Sequence, residues 1–263
     1  MFELVNPALI GGGTAVAMFF GILIALEVGR WVAQRAIARY GTSGAPNVGS
    51  LETAVFALLG LLIAFTFSGA LSRFDVRRAQ VVDEANAIGT AWLRVDLLPA
   101  SAQPKLRDAF RAYVDSRIAT YSKLPDIGAA REELGRSMRL QADIWSQAIA
   151  AARLPEARPN TDLLVLPALN QMFDITTVRV VATQMHPPTI IYLMLVGLAL
   201  ASALLAGYQS ANEKVHDWVH RVGFAGIIAF TIYVILDVEY PRLGWVRIDA
   251  FDQVLVNMRA GMK

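Results

Sequence analysis

The chain has 263 residues, of which 55% are hydrophobic and 17% charged, with a mean hydropathy of +0.44. Disorder, a collagen-like repeat and a low-complexity tail are excluded, and since an ordinary soluble domain carries about 25% charged residues, the composition disfavours a purely soluble protein. Cysteine is absent, which removes disulfide scaffolds, thiolate metal sites and cysteine nucleophiles; the net charge of +2, with no dense basic run, gives no basis for nucleic-acid binding.

A helix that crosses about 30 Å of hydrocarbon needs about 20 mostly apolar residues. The first such segment, Ala8 to Leu26, carries no charge. The residues before it hold no Lys or Arg, and the stretch is long for a signal peptide, so it reads as a retained helix. Gly11, Gly12 and Gly13 inside it suit a close helix-packing surface.

The second segment, Thr53 to Leu71, carries a regular small face. Thr53, Ala57, Gly60, Ala64 and Ser68 recur at helical spacing. Such a stripe serves tight helix packing or a pore wall. In the pore reading Leu61 joins the stripe, Phe65 and Phe67 supply a hydrophobic constriction, and Glu52 stands at a mouth. The absence of any breaker between Leu71 and Phe74 predicts that this helix continues as one rod. A shift of the following region would then pull directly on the membrane helix.

Most of the chain's 24 basic residues fall between Ser72 and Pro188. Four apolar stripes at helical spacing lie there: Phe74 to Val95, Leu106 to Tyr121, Leu134 to Ala152 and Leu166 to Val180. Prolines at 99, 104, 125, 155 and 159 separate them, and Pro187-Pro188 ends the last. Arg73, Arg77, Arg78 and Glu84 follow the second span. As a solvated or interlocking face they make pairs, Glu84 with Arg77 or Asn86. As a vestibule wall the arginines concentrate anions.

The third and fourth spans are Thr189 to Tyr208 and Val222 to Leu236, the latter extended by its flanks. Asp237, Glu239 and Arg242 close the fourth. Charges at a membrane boundary are costly unless paired or hydrated. Either acid paired with Arg242 makes a clamp at a helix end stopped by Pro241; the alternative is a charged ring at a pore mouth. His216 and His220, at i and i+4, lack a third ligand, so no metal or other cofactor is expected.

The expected fold is therefore all-α: an integral membrane protein with four transmembrane helices and a helical extramembrane insert between the second and third. The expected domains are 1–71, a first helix pair; 72–188, the helical domain; 189–245, a second helix pair; and 246–263, an amphipathic tail. Basic residues near span ends place both termini and the insert inside, although Arg30, Arg35 and Arg39 after the first span argue the other way.

The run Gly60 to Ala70, then Arg73-Phe74-Asp75 with Arg77-Arg78, then Glu84 to Ala91, resembles a bacterial bestrophin-like membrane family long known as a domain of unknown function. Leu169-Asn170 with Asp174 and Arg179, His186-Pro187-Pro188, and Asp237-x-Glu239-x-Pro241-Arg242-x-Gly244 carry the same resemblance, which covers nearly the whole chain. A more distant similarity links that family to the bestrophin anion channels, in which the second span lines a hydrophobic neck above a cytosolic helical vestibule. The resemblance implies a homo-oligomer, with a pentamer first and a tetramer second. It also implies a bacterial inner-membrane location, with membrane lipid and permeant ions as partners. The clustered acids of the bestrophin calcium clasp have no counterpart here.

Three readings of function follow. An oligomeric ion channel, chloride-like in selectivity by analogy or else cation-permeable, uses the second span as its pore wall. A non-conducting scaffold or sensor uses the helical insert to bind a cytoplasmic partner. An enzyme finds no nucleophile–base constellation, and a secondary transporter finds neither enough spans nor an inverted repeat.

Overall fold

The computed structural model describes residues 7–41, 48–212, 218–242 and 244–263. Among them the chain is all-α, with no strand. The helices are α1 (Pro7–Tyr40), α2 (Gly49–Arg94), α3 (Gln103–Ser122), α4 (Ile127–Ala152), α5 (Thr161–Ala182), α6 (Thr189–Gln209), α7 (Trp218–Glu239) and α8 (Asp249–Gly261). Four of them, α1, α2, α6 and α7, are long and apolar enough to cross a membrane. The expected rod is present: α2 runs unbroken for 46 residues. The chain divides into two compact units, Met1–Arg73 with His186–Trp245 and Phe74–Met185 with Val246–Lys263.

The first unit is built on α1, α6 and α7. Its core joins Met18, Ile22 and Leu26 of α1 to Leu195, Ala199 and Ala203 of α6 and to Ala225, Ala229, Ile232 and Ile235 of α7, with Leu59 of α2 added from the side. The alanines at four-residue spacing on α6 and α7 let the backbones approach, because lipid offers no hydrophobic drive and close contact must supply the attraction.

The closest approach lies elsewhere than the sequence suggested. Gly12 and Gly13 have nothing within 4 Å of where a Cβ would sit, and Gly11 meets only the edge of Tyr233 at 3.9 Å. Gly29 and Gly207 are the packing glycines. A Cβ on Gly29 would overlap the Leu204 carbonyl, and one on Gly207 the Leu26 carbonyl. The contact depends on which backbones cross, and a glycine run does not encode that. Since a backbone carbonyl cannot rotate away, Gly207→Ala is expected to destabilise the unit by about 3 kcal/mol, the upper end of ordinary overpacking. Gly12→Ala should leave the melting temperature in detergent unchanged or raised.

The second unit packs the later part of α2 against α3, α4, α5 and α8. Val81, Ala85, Ile88 and Val95 meet Leu106, Phe110, Tyr113, Ile144, Val165, Leu169 and Met172 in one core. The stripes expected on α2 and α3 are the buried ones. Those on α4 and α5 are met in part. Ala148 and Leu169 are in the core, with Trp145, Ala152, Leu166 and Phe173 packed against it, but Met138 and Thr177 are exposed, and Ser137 and Ile144 line the α4 seam and Thr176 and Arg179 the α5 seam. Polar residues sit in these seams because they find partners there. Ser116 and Ser137 share a 2.8 Å hydrogen bond, and Tyr113 and Thr176 one of 2.7 Å. Helical spacing alone does not separate these positions from their neighbours one residue away. The C-terminal helix α8 belongs to this unit, burying Leu255 and Met262 in its core.

Candidate functional site

Three features stand out. The first is the outer face of α2. At about 100° per residue, the side chains of Leu59, Thr66 and Ala70 point toward one side of the helix, and all three are buried. Thr53, Ala57, Gly60, Leu61, Ala64 and Ser68 lie around the opposite side, and all six are exposed. Phe65, on the flank of that stripe, is 68% exposed, and Phe67 is exposed as well. Of the four apolar helices, α2 is the least covered by the rest of the chain. Its small residues are thus left unused by packing within the chain, whereas the alanines of α6 and α7 are consumed in it. Threonine hydroxyls in this stretch are turned onto the helix itself. Thr53 donates to the Gly49 carbonyl at 2.9 Å, and Thr66 to that of Leu62 at 2.8 Å. Glu52 stands half-buried in the first turn of α2.

The second feature is a knot of charge where α7 ends. Glu239 is completely buried. Arg73 grips it from Nε at 3.0 Å and from Nη2 at 2.6 Å, a two-pronged charge-assisted contact. Gly69, one turn back on α2, leaves room for that guanidinium, with its Cβ position 3.3 Å from Arg73 Nη1. His186 Nδ1 lies 3.0 Å from Glu239 Oε1, and its ring packs on Tyr240 with centroids 4.5 Å apart. Asp237 accepts the Trp245 backbone N–H at 2.9 Å and the Tyr233 hydroxyl at 3.3 Å. Residue 244 is glycine, and a Cβ there would collide with the Asp237 carboxylate and force that side chain to shift. Arg242 is buried in the same unit. The sequence offers Asp237 or Glu239 as a partner of Arg242, and Arg73 as an interlocking or a vestibule charge. The structure seats Arg73 on Glu239, a contact across 166 positions that no local spacing reveals.

The third feature is a buried ion network in the second unit. Glu84 Oε1 accepts from Arg117 Nε at 2.6 Å, and its Oε2 is in contact with Arg179 Nη1. Arg117 and Glu84 have no exposed side-chain surface, and Arg179 has 4%. Arg117 Nη2 donates to the Tyr121 hydroxyl at 2.8 Å, Arg179 stacks on the Tyr121 ring at 4.1 Å, and Asp252 of α8 lies 3.5 Å from Arg179. Burial works against an ionised Glu84, which lies well beyond the apolar stretch of α2. The two guanidiniums outweigh burial and hold its carboxyl below the usual carboxylate range. Burial likewise opposes the charge on Arg117, yet Tyr121 and Glu84 beside it raise its pKa. Burial pushes the Tyr113 phenol up, keeping it a neutral hydrogen-bonding group. The expected partners of Glu84, Arg77 and Asn86, give way to Arg117 and Arg179. Arg117 was visible as a charge on an apolar stripe, and that misfit was the signal for a buried pair.

The remaining arginines of the α2 series are also engaged. Arg77 is buried and donates to the carbonyls of Ala182 at 3.1 Å and Met185 at 3.0 Å, where α5 ends with unsatisfied acceptors. Arg78 pairs with Asp75 at 3.1 Å and lies over the rings of Phe74 and Phe251. Three cations that the sequence offered as an anion-attracting wall thus have carboxylate, carbonyl or aromatic partners within the chain. His220 is exposed, and His216 lies outside the described residues. Among the described residues no group of three or more metal-ligating side chains is assembled.

The fold is similar to that of a bacterial bestrophin homologue from Klebsiella pneumoniae, solved by crystallography with a tryptophan-to-alanine mutation. The TM-score is 0.63 over 94% of this chain and 98% of that one, with 13% sequence identity. No curated protein is significantly similar in sequence. Residues 20–250 match the family described as the Bestrophin-like domain. That match spans both units and includes the small face of α2, the Arg73–Glu239 knot and Glu84 with Arg117 and Arg179, and the chain belongs to the bestrophin-like family.

Proposed function

We propose that the protein is a homo-oligomeric ion channel of the bacterial inner membrane, with α2 lining the pathway. The observation that carries this reading is the direction of the α2 stripe. A helix in lipid gains nothing from exposing small residues, while a helix facing a symmetry axis or a neighbouring copy does. Thr53, Ala57, Gly60, Leu61, Ala64 and Ser68 form that axial face, Phe65 and Phe67 narrow it, and Glu52 stands at one mouth. A pentamer is the assembly the family resemblance favours, with a tetramer second. The helical unit is cytoplasmic, and the continuous α2 helix transmits its movement to the pathway.

The permeant ion is a chloride-like anion. No fixed charge lies between Thr53 and Leu71, so constriction size and dehydration set selectivity there. Arg73 is balanced by Glu239 and Arg78 by Asp75, so the preference for an anion rests on the family resemblance and not on a ring of free charge. Permeation of cations in preference to chloride would transfer the selecting role to Glu52.

The test uses the cysteine-free background. Purified protein in planar bilayers should conduct, and thiol reagents should block channels with cysteine at Ala57, Gly60 or Ala64. Cysteines at Leu59 and Leu62, on the packed face, should be spared. Silent bilayers across voltage and pH would favour the scaffold reading, in which the helical unit binds a cytoplasmic partner.

A further inference from the structure

The helix α1 is longer than a membrane requires. Its 34 residues extend for about 51 Å, whereas the hydrocarbon is about 30 Å thick. The polar edge of the first unit is marked by a contact between Arg221 at the start of α7 and Glu27 of α1, with Ser210 3.3 Å from Arg221. The close packing of Gly207 on Leu26 and of Gly29 on Leu204 fixes the end of α6 at the same level. Beyond that level α1 continues to Tyr40, with Ala33 still buried on one side and an exposed face on the other.

This extension has a specific chemistry. Trp31, Arg35 and Arg39 follow one another at four-residue spacing on one face, with Tyr40 beside the last, and all four are exposed. The Arg35 guanidinium carbon lies over the Trp31 ring, 3.6 Å from its centre. Helical side chains lean toward the helix N-terminus, so both guanidiniums are directed back toward the membrane edge. No acid occurs between Trp31 and Tyr40. Two like charges one turn apart repel each other, a cost that an anion lying between them turns into a gain. Nearby, Trp218 and His220 at the start of α7 are exposed too. Exposed tryptophan and tyrosine at the level of a bilayer edge mark the headgroup layer.

We propose that Arg35 and Arg39, with Trp31 and Tyr40, form a binding site for the headgroup of an anionic phospholipid. The phosphodiester takes the two guanidiniums, and the indole and phenol rings sit among the glycerol and upper acyl carbons. The proposal rests on the membrane-spanning reading and not on conduction, so it holds for a channel or a scaffold alike.

Full-length protein in a mild detergent, titrated with dioleoyl-phosphatidylglycerol and separately with dioleoyl-phosphatidylcholine, should retain the anionic lipid in native mass spectra and not the zwitterionic one. Arg35→Gln with Arg39→Gln should weaken phosphatidylglycerol retention by about fivefold for each arginine removed. The single Arg39→Gln variant, at an exposed helix end, tests the same claim should the double variant fail to fold. Arg78→Gln, in the other unit, should retain the lipid as wild type does. Equal retention of both lipids, or wild-type retention by the Arg39→Gln variant, would overturn the proposal. So would displacement of the lipid by inorganic phosphate at matched concentration, which would mark a site for a free anion.

Discussion

Replacing Glu84 with alanine should destabilise the helical unit by about 3–5 kcal/mol, because it strands two buried guanidiniums. Glu84 is the common acceptor for Arg117 and Arg179, which come from α3 and α5, so one substitution uncouples three helices. A variant with Glu84, Arg117 and Arg179 all replaced by apolar residues of similar volume should recover much of the loss, since removing the whole network also removes its desolvation cost. Thermal unfolding followed by circular dichroism in detergent measures both. The same carboxylate gives a pH dependence of known sign. Its pKa is lower folded than unfolded, so its contribution is fully present above the ordinary carboxylate range and is lost as pH falls through the lowered folded value. Wild type should therefore lose stability in acid by more than the Glu84→Ala variant does. An equal slope for the two would show that the network does not govern acid unfolding.

Arg73→Ala should have the second largest effect, also about 3–5 kcal/mol, because it leaves the completely buried Glu239 carboxylate without its guanidinium. Glu239→Ala removes the other half of the pair and costs less, since the Arg73 side chain keeps 31% exposure and can turn to water. A double-mutant cycle over these two positions should show strong coupling, with the double variant less destabilised than the two single losses added together. His186 joins the same carboxylate, so Glu239→Gln, which keeps the shape and loses the charge, should fall between wild type and alanine. Since Arg73 lies on α2 two residues after the apolar stretch, the Arg73→Ala variant should also alter conductance if α2 lines the pathway. Loss of stability with unchanged single-channel current would separate the structural role of the pair from any role in permeation.

The sequence alone determined the helical class and the four apolar helices, because length and hydropathy are properties of contiguous residues and need no tertiary contact to read. It also determined the unbroken course of α2, from the lack of any breaker between Leu71 and Phe74, and the stripes of α2 and α3, where apolar residues fill the seam. The membership of the family was legible in local motifs such as Asp237 to Gly244. The tertiary structure decided which charges meet. Arg73 with Glu239, and Glu84 with Arg117 and Arg179, join residues 33 to 166 positions apart. Helical periodicity carries no information at that range, so sequence reading defaulted to neighbours one turn away. The structure also decided the direction of each small-residue face. The alanine seams of α6 and α7 and the stripe of α2 look alike in the sequence, and only packing shows that the first two are spent within the chain while the third is left facing outward. The physical reason is the same in both cases. Composition fixes what a helix can bury, but burial and ion pairing are properties of the partner it finds.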